Sequence, residues 1–220
     1  MAFQSAPTTR VKICGLSTEE TLTAALEAGA DWIGLVHFPR SPRHVALDRA
    51  AALSARARGR AERVILLVDP DDALLAAALE AVDPDLIQLH GRESPERVAA
   101  IRARTGRPVM KAIGIATPAD LAFLPAYAAI ADRILLDAKA PPEATLPGGN
   151  GRCFDWEILR GAALPSGTML SGGLDSDNVA DALRRTGIGA VDVSSGVETA
   201  LGAKDPAKIA AFVAAARRPR

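Results

Sequence analysis

The sequence predicts an α/β protein that folds as a single-domain (β/α)₈ barrel, with eight parallel strands surrounded by helices. Short segments rich in Val, Ile and Leu alternate with longer, alanine-rich segments whose apolar residues recur at helical spacing. We count eight such units in 220 residues, which favours a closed barrel over an open doubly wound sheet. The turn after the first strand, Cys14-Gly15-Leu16-Ser17, also lacks the G-x-G-x-x-G of a dinucleotide-binding sheet.

The predicted strands follow one another without a linker that would divide the chain. We expect a flexible polar tail over residues 1–9 and the barrel domain over residues 10–220. In order, the strand segments read RVKICGL, ADWIGLVHF, RVILLV, DLIQLH, PVMKAIG, DRILLDA, TMLSGG and GAVDVSS.

Capping residues indicate where several helices begin. Ser17 is predicted as an N-cap, with Glu20 three residues later completing a capping box. Ser94, Thr117 and Asp205 each precede a proline, a residue that is favoured at the first helical position.

One connection departs from the short-loop pattern. Residues 139–153, KAPPEATLPGGNGRC, join the sixth strand to its helix without helical or strand periodicity. A loop of this length in a compact domain is usually functional, and its glycines would let it open and close over a site. A tolerated surface insertion is the alternative.

The composition indicates which classes of partner and which cellular compartment to expect. The 26 basic and 26 acidic residues balance, so no global field favours nucleic acid or a membrane. The N-terminal MAFQSAPTTR is not a secretory signal, and no apolar run reaches the roughly 18 residues of a membrane span. Cys14, Cys153 and three scattered histidines form neither a disulfide framework nor a zinc-like spacing. We therefore expect a cytoplasmic protein that uses no metal or cofactor.

Polar residues gather where the predicted strands end. In a barrel of this kind the C-terminal ends of the strands form one rim, which carries the active site. Alternation along the strands directs Lys12 and Cys14 to the interior, together with Asp137, Asp192 and Ser194. In chain order the rim residues are Cys14, Arg43, His90, Asp137, Gly172, Gly173, Asp192, Ser194, Ser195 and Gly196.

The turns after the seventh and eighth strands predict a phosphorylated ligand. Gly172-Gly173 and Ser194-Ser195-Gly196 are open turns at the rim position where such barrels bind phosphate through backbone N–H groups.

Cys14 and Asp137 form a candidate acid–base pair. A thiolate on one side of the barrel mouth and a carboxylic acid on the other could remove a proton at one position and deliver one at another. We expect the positive charge of Lys12 to lower the pKa of Cys14. A buried structural cysteine is the alternative, and chemistry alone leaves both open.

Seven motifs together resemble the phosphoribosylanthranilate isomerase family of tryptophan biosynthesis. They are VKICGL, FPRSPRHV, QLHG, LLDA, GGNGRCFDW, LSGGL and VDVSSGVE, and they span about residues 10 to 200 in the family's order. The resemblance implies a (β/α)₈ barrel that performs an Amadori rearrangement of N-(5-phosphoribosyl)anthranilate without cofactor or metal.

The resemblance also implies roles for individual residues. Asp137 would be the general acid and Cys14 the general base, while Arg43 would pair with the anthranilate carboxylate. Asp192 would lie near the anthranilate amine, His90 would join the substrate site, and the two rim turns would hold the phosphate. The partner is then a small molecule with phosphate and carboxylate groups, bound by a monomer or a homodimer.

A few positions depart from the family pattern. His37 stands where an aromatic residue is usual, Arg40 where lysine is usual, and Asn150 and Arg152 replace the common threonine and lysine of the glycine loop. These changes affect loop contacts and not the acid–base pair. Cys153 is expected to have little kinetic role.

Two other functions remain open at this point. One is the related isomerase of histidine biosynthesis, which looks like an Asp/Asp pair with a carboxylate where Cys14 stands. The other is a non-catalytic phosphate-binding barrel, which loss of Cys14 or Asp137 would have favoured; both residues are present.

Overall fold

A computed structural model gives the structure of residues 9–140, 146, 148–149, 151 and 153–218. Eight parallel strands pair in chain order, and β1 pairs with β8, so the sheet closes into the predicted barrel. The strands are β1 Arg10–Cys14, β2 Trp32–Val36, β3 Glu62–Leu67, β4 Leu86–Leu89, β5 Val109–Ile115, β6 Arg133–Ala138, β7 Met169–Leu170 and β8 Ala190–Val193. The expected tail lies outside the described residues except for Thr9, which is buried.

Helices follow most strands and cover the outside of the barrel. They are α1 Glu19–Glu27, α2 Leu47–Ala57, α3 Asp72–Val82, α4 Pro95–Thr105, α5 Leu124–Ala128, α6 Val179–Thr186 and α7 Pro206–Ala216. A 3₁₀ helix, Pro118–Phe123, precedes α5, and a short hairpin of β9 Glu198–Ala200 and β10 Ala203–Lys204 lies between β8 and α7. The described helices are all too short or too polar to cross a membrane.

The sixth unit differs from the predicted strand–helix pattern. Between β6 and β7 the described residues contain a 3₁₀ helix, Trp156–Leu159, in place of an α-helix. Gly161 and Gly167 both adopt positive φ in the segment that follows, which turns the chain back toward β7 before a longer helix can form.

The helix starts agree with the predicted caps except at α1. Ser94 accepts the backbone N–H of Arg97, and Asp205 caps α7 in the same way. In α1 the capping side chain is Thr18, whose Oγ1 accepts the N–H of Thr21 at 3.2 Å, so the prediction of Ser17 was wrong by one residue. The carbonyl of Ser17 instead accepts a hydrogen bond from the side chain of Arg49, at 3.2 Å.

Side chains on the strands alternate between two apolar regions, as predicted. Val11, Ile134 and Val191 pack outward with the helices in the main core. The inward residues of the lower barrel form a separate cluster of Trp32, Val64, Leu86, Met110, Ala112, Leu135, Met169 and Ala190. Cys14, Asp137 and Ser194 lie beyond this layer, at the carboxyl ends of their strands.

Trp32 closes the amino-terminal end of the barrel. Its side chain is fully buried, and its indole N–H donates to Glu62 Oε2 at 2.8 Å. The guanidinium carbon of Arg10 lies 3.6 Å from the ring centroid, and that of Arg133 lies 5.0 Å from it. The ring is thus packed in the apolar layer and contacts two cations.

Trp32→Ala should lower the free energy of unfolding by about 3–5 kcal/mol, because a large buried ring leaves a cavity that the closed barrel cannot collapse to fill. Urea unfolding followed by circular dichroism measures the change. Phe123→Ala is the control, since Phe123 is 59% exposed and its loss should change stability by no more than about 0.5 kcal/mol. Equal losses in the two variants would contradict this account of the barrel floor.

Candidate active site

The carboxyl ends of the strands surround a cleft. Its lining includes six of the residues that the sequence predicted: Cys14, Arg43, His90, Asp137, Asp192 and Ser194. An adjoining pocket is lined by Gly172, Gly173, Ser194 and Ser195, and it shares Asp137 and Asp192 with the cleft. Gly196 lines neither pocket. A Cβ there would collide with the carbonyl oxygen of Leu174, so glycine at this position lets two turns pack closely.

Cys14 ends β1 above a buried ion pair. Lys12 Nζ lies 2.7 Å from Asp192 Oδ1, and neither side chain is more than 5% exposed. Asp192 Oδ2 accepts a second hydrogen bond from Ser171 Oγ at 3.1 Å. Both carboxylate oxygens are therefore fixed, and the ammonium group stands beneath the thiol.

Lys12 lowers the pKa of Cys14, as expected from the sequence, but the net pKa is above that of an ordinary thiol. Burial raises the pKa and outweighs the charge of Lys12, which lowers it, and the Asp192 carboxylate raises it further. Burial also lowers the pKa of Lys12, but Asp192 and the Cys14 thiolate more than offset this, so its net pKa is raised. Lys12 thus stays charged, and its charge keeps the pKa of Cys14 lower than burial alone would make it.

Asp137 ends β6 next to a histidine. Its Oδ2 lies 3.2 Å from His90 Nε2, and its Oδ1 accepts the backbone N–H of Ala138 at 2.9 Å. His90 Nδ1 lies 2.9 Å from the side-chain nitrogen of Gln88, which is fully buried on β4. A continuous polar chain therefore runs from the barrel interior to the carboxyl group of Asp137.

Arg43 follows β2 and is nearly buried, at 4% exposure of its side chain. Its Nε and Nη2 donate to the two carboxylate oxygens of Glu198, at 2.7 Å and 2.9 Å. Nη2 also donates to the carbonyl oxygen of Gly149 at 3.2 Å. The arginine therefore reaches the cleft, as expected, with one edge of its guanidinium already occupied.

The described part of the predicted 139–153 loop lies against the cleft. A Cβ at Gly148 would collide with His90 Nε2 and Asp137 Oδ2, and one at Gly149 would come within 2.5 Å of Arg43 Nη1. Glycine is required for such close approach, since any side chain would displace the acid or the arginine. Residues 141–145, 147, 150 and 152 lie outside the described residues, so the predicted departures at Asn150 and Arg152 stay predictions.

Cys153 contacts the predicted phosphate turn, which the sequence did not indicate. Its Sγ lies 3.3 Å from the carbonyl oxygen of Gly172 and 3.1 Å from that of Gly173. Both glycines adopt positive φ, at 89° and 62°, so the turn depends on them for its shape.

Four residues of the site region were missed by the sequence reasoning: Gln88, Ser171, Glu198 and Lys204. Gln88 could have been predicted from the sequence, because it stands two residues before His90 and therefore lies on the same face of the strand as His90. Ser171 follows β7 and lines both pockets. Within the described ranges, no group of three or more His, Cys, Asp or Glu side chains could hold a metal ion.

Comparison with known proteins identifies the family. The model of the N-(5'-phosphoribosyl)anthranilate isomerase family matches residues 11–215. The chain belongs to the phosphoribosylanthranilate isomerase family. A member from Azorhizobium caulinodans is 67% identical over 207 residues, which cover 94% of this chain and 91% of that protein.

Solved structures of the isomerase family have the same barrel. The enzyme from Thermotoga maritima aligns with a TM-score of 0.85 and 35% identity, over 94% of this chain and 98% of that one. An isomerase solved in complex with reduced 1-(o-carboxyphenylamino)-1-deoxyribulose 5-phosphate aligns with a TM-score of 0.82 and 32% identity, again over 94% and 98% of the two chains. The fold and family expected from the sequence are therefore confirmed.

Lys12→Met should shift the alkylation of Cys14 by iodoacetamide to higher pH. Only the thiolate reacts, and loss of the Lys12 charge removes an interaction that lowers the thiol pKa, so the thiolate forms at higher pH. Mass spectrometry of the Cys14 peptide across a pH series measures the shift.

The matched control is Lys111→Met. Lys111 is a second buried lysine, 2.8 Å from Glu93, and its side chain faces away from the cleft. The pH dependence of Cys14 alkylation in Lys111→Met should equal that in the wild type. A Lys12→Met profile that also equals the wild type would show that Lys12 does not act on the thiol.

Proposed function

We propose that this protein converts N-(5-phosphoribosyl)anthranilate into 1-(2-carboxyphenylamino)-1-deoxyribulose 5-phosphate, a step of tryptophan biosynthesis. The observation that carries the proposal is the pair of buried groups, Cys14 and Asp137, that line one cleft beside a glycine-rich pocket. Two strands, β7 and β8, separate β6 from β1 along the shorter way around the barrel, so a substrate can lie between acid and base.

Asp137 acts first, as the general acid. Its carboxyl proton passes to the furanose ring oxygen of the substrate, and the bond from that oxygen to C1 breaks to give a Schiff base. His90, whose Nε2 lies 3.2 Å from Asp137 Oδ2, contacts the carboxyl group and orients it.

Cys14 then acts as the general base. Its thiolate removes the proton from C2 and leaves an enolamine, which takes a proton at C1 as it becomes the ketone. The raised pKa of Cys14 makes the thiolate a stronger base once formed, and the charges of Lys12 and Lys204 partly offset the burial that disfavours it.

The two ends of the substrate are held by separate groups. The phosphate occupies the pocket at Gly172, Gly173, Ser194 and Ser195, where backbone N–H groups of the open turns can donate to it. The anthranilate carboxylate pairs with Arg43, and Asp192 accepts from the anthranilate amine. A family member was solved with a reduced carboxyphenylamino phosphosugar, which supports a ligand of this class for the cleft.

The proposal extends to assembly and compartment. Cys14 and Cys153 are both free thiols, which suits a reducing compartment, so we place the enzyme in the cytoplasm. A monomer or a homodimer fits the sequence, and the related Thermotoga maritima isomerase is described as dimeric.

The direct test follows the fluorescence of phosphoribosylanthranilate as it disappears, with no metal or cofactor added. We expect turnover that persists after dialysis against EDTA. The aminoaldose of histidine biosynthesis is assayed in parallel, and turnover of that substrate alone would replace the proposed function by the related isomerase. The thiol at position 14 and the named relatives favour the first outcome.

Cys14→Ser and Asp137→Asn should each reduce kcat by about 10²–10⁴ and leave KM within a few-fold, because each removes one proton-transfer group. Steady-state kinetics at neutral pH measure both constants. Asp85→Asn is the matched control, since Asp85 pairs with Arg63 at the amino-terminal side of the barrel, away from the cleft. A serine variant with a kcat near that of the wild type would refute the base role of Cys14.

Arg43→Lys should raise KM more than it lowers kcat. Lysine offers a point charge in place of a planar fork, and the anthranilate carboxylate is remote from the C2 proton and persists through the reaction. Arg40→Lys is the control, because Arg40 is an exposed residue of the same loop. Wild-type KM in both variants, or a raised KM in Arg40→Lys alone, would contradict the role of Arg43.

A further inference from the structure

A second buried ionic cluster stands beside the cleft, and one of its members, Glu198, has no role in the proposed reaction. The cluster consists of Arg43, Glu198 and Lys204, whose side chains are 4%, 5% and 1% exposed. Glu198 accepts from Arg43 through both carboxylate oxygens, and Lys204 Nζ lies 2.6 Å from Glu198 Oε1. The three charged side chains are thus buried together, and Glu198 pairs with both cations.

The β9–β10 hairpin carries this cluster and holds Glu198 in place. Glu198 begins β9 and Lys204 ends β10, and the backbone N–H of Gly202 in the turn donates to Glu198 Oε2 at 3.2 Å. Lys204 Nζ also contacts the carbonyl oxygen and Oγ of Ser194, each at 3.0 Å. The carboxylate therefore has little freedom to follow a moving arginine.

The geometry divides the guanidinium of Arg43 into two edges. The Nε–Nη2 edge is filled by Glu198, and the other edge, formed by Nη1 and Nη2, lies against Gly149, whose carbonyl oxygen accepts from Nη2 at 3.2 Å. A ligand carboxylate on that edge would take the place of this carbonyl oxygen. A guanidinium can grip one carboxylate on each edge through parallel hydrogen bonds. Glu198 thus selects which edge of Arg43 is presented to a ligand in the cleft.

We propose that Glu198 is a positioning residue that sets the orientation of Arg43 and thereby the preference of this site for ligands with a carboxylate on the aromatic ring. Lys204 offsets the charge of Glu198 and leaves the cluster with a net positive charge to attract that carboxylate. This inference rests on the proposed function, since it concerns the recognition of the anthranilate end of the substrate.

The alternative is that Glu198 only stabilises the fold. Burying a guanidinium without its carboxylate is costly, so any change at Glu198 is expected to reduce stability as well. A test must therefore measure a quantity that stability alone does not change. The ratio of two affinities in the same variant meets this condition.

The experiment uses two unreactive ligands and isothermal titration calorimetry. One is reduced 1-(2-carboxyphenylamino)-1-deoxyribulose 5-phosphate, and the other is the same compound without the carboxyl group. The wild type should bind the carboxylated ligand more tightly. In Glu198→Gln this preference should fall by about tenfold or more, the scale of one charge-assisted hydrogen bond, with little change for the ligand that lacks the carboxyl group.

Two further variants complete the test. Asp85→Asn breaks a comparable bidentate pair, in which Asp85 accepts from Arg63 twice at 2.8 Å, and it should keep the wild-type preference even where stability falls. Glu198→Asp keeps the charge on a shorter side chain and should lose the preference in part, which provides a result if Glu198→Gln does not fold.

The possible outcomes distinguish a failure of the positioning role of Glu198 from a failure of the proposed function. An unchanged preference in Glu198→Gln, or in Glu198→Asp where only that variant folds, would overturn the positioning role. Equal loss of affinity for both ligands would likewise leave Glu198 as a structural residue only. If the wild type bound neither ligand, the proposed function itself would be wrong.

Discussion

The ion pair between Lys12 and Asp192 is the interaction on which both the barrel and its site depend. The register of β1 against β8 sets Lys12 opposite Asp192 where the sheet closes, so each strand brings the charge that the other needs. Breaking a buried pair by removing one partner costs about 3–5 kcal/mol, which penalises any other register at this seam. Ser171 extends the contact to the strand that precedes β8. One ion pair therefore lies both at the seam that closes the barrel and in the site.

Charge is arranged differently at the two ends of the barrel. The amino-terminal end is filled by an apolar layer around Trp32, with cations only at its edge. The carboxyl end concentrates buried charges around Cys14, where Lys12, Asp192 and Lys204 all act on the thiol. Apolar packing inside the barrel therefore lies toward the amino-terminal end, and the carboxyl end holds the buried charges.

Local periodicity explains which parts of this structure could be predicted from the sequence. Strand alternation depends only on the next few residues, so the inward position of Cys14, Asp137 and Asp192 followed from the sequence. The pairing of Arg43 with Glu198 joins residues 155 positions apart, and no local pattern encodes it. The lowering effect of Lys12 on the pKa of Cys14 was predicted correctly, but the larger, opposite effect of burial comes from the whole barrel and has no local signal in the sequence. The α1 cap was wrong because Ser17 and Thr18 are chemically equivalent choices until the backbone is known.

The burial of Cys14 has a further consequence for how the protein withstands oxidants. Peroxides attack the thiolate and not the thiol, and the elevated pKa keeps most of the Cys14 side chain protonated at neutral pH. The residue is also only 4% exposed, so an oxidant in bulk water meets the exposed Cys153 first. Burial therefore holds this cysteine mostly in its less reactive thiol form, which protects it against oxidants.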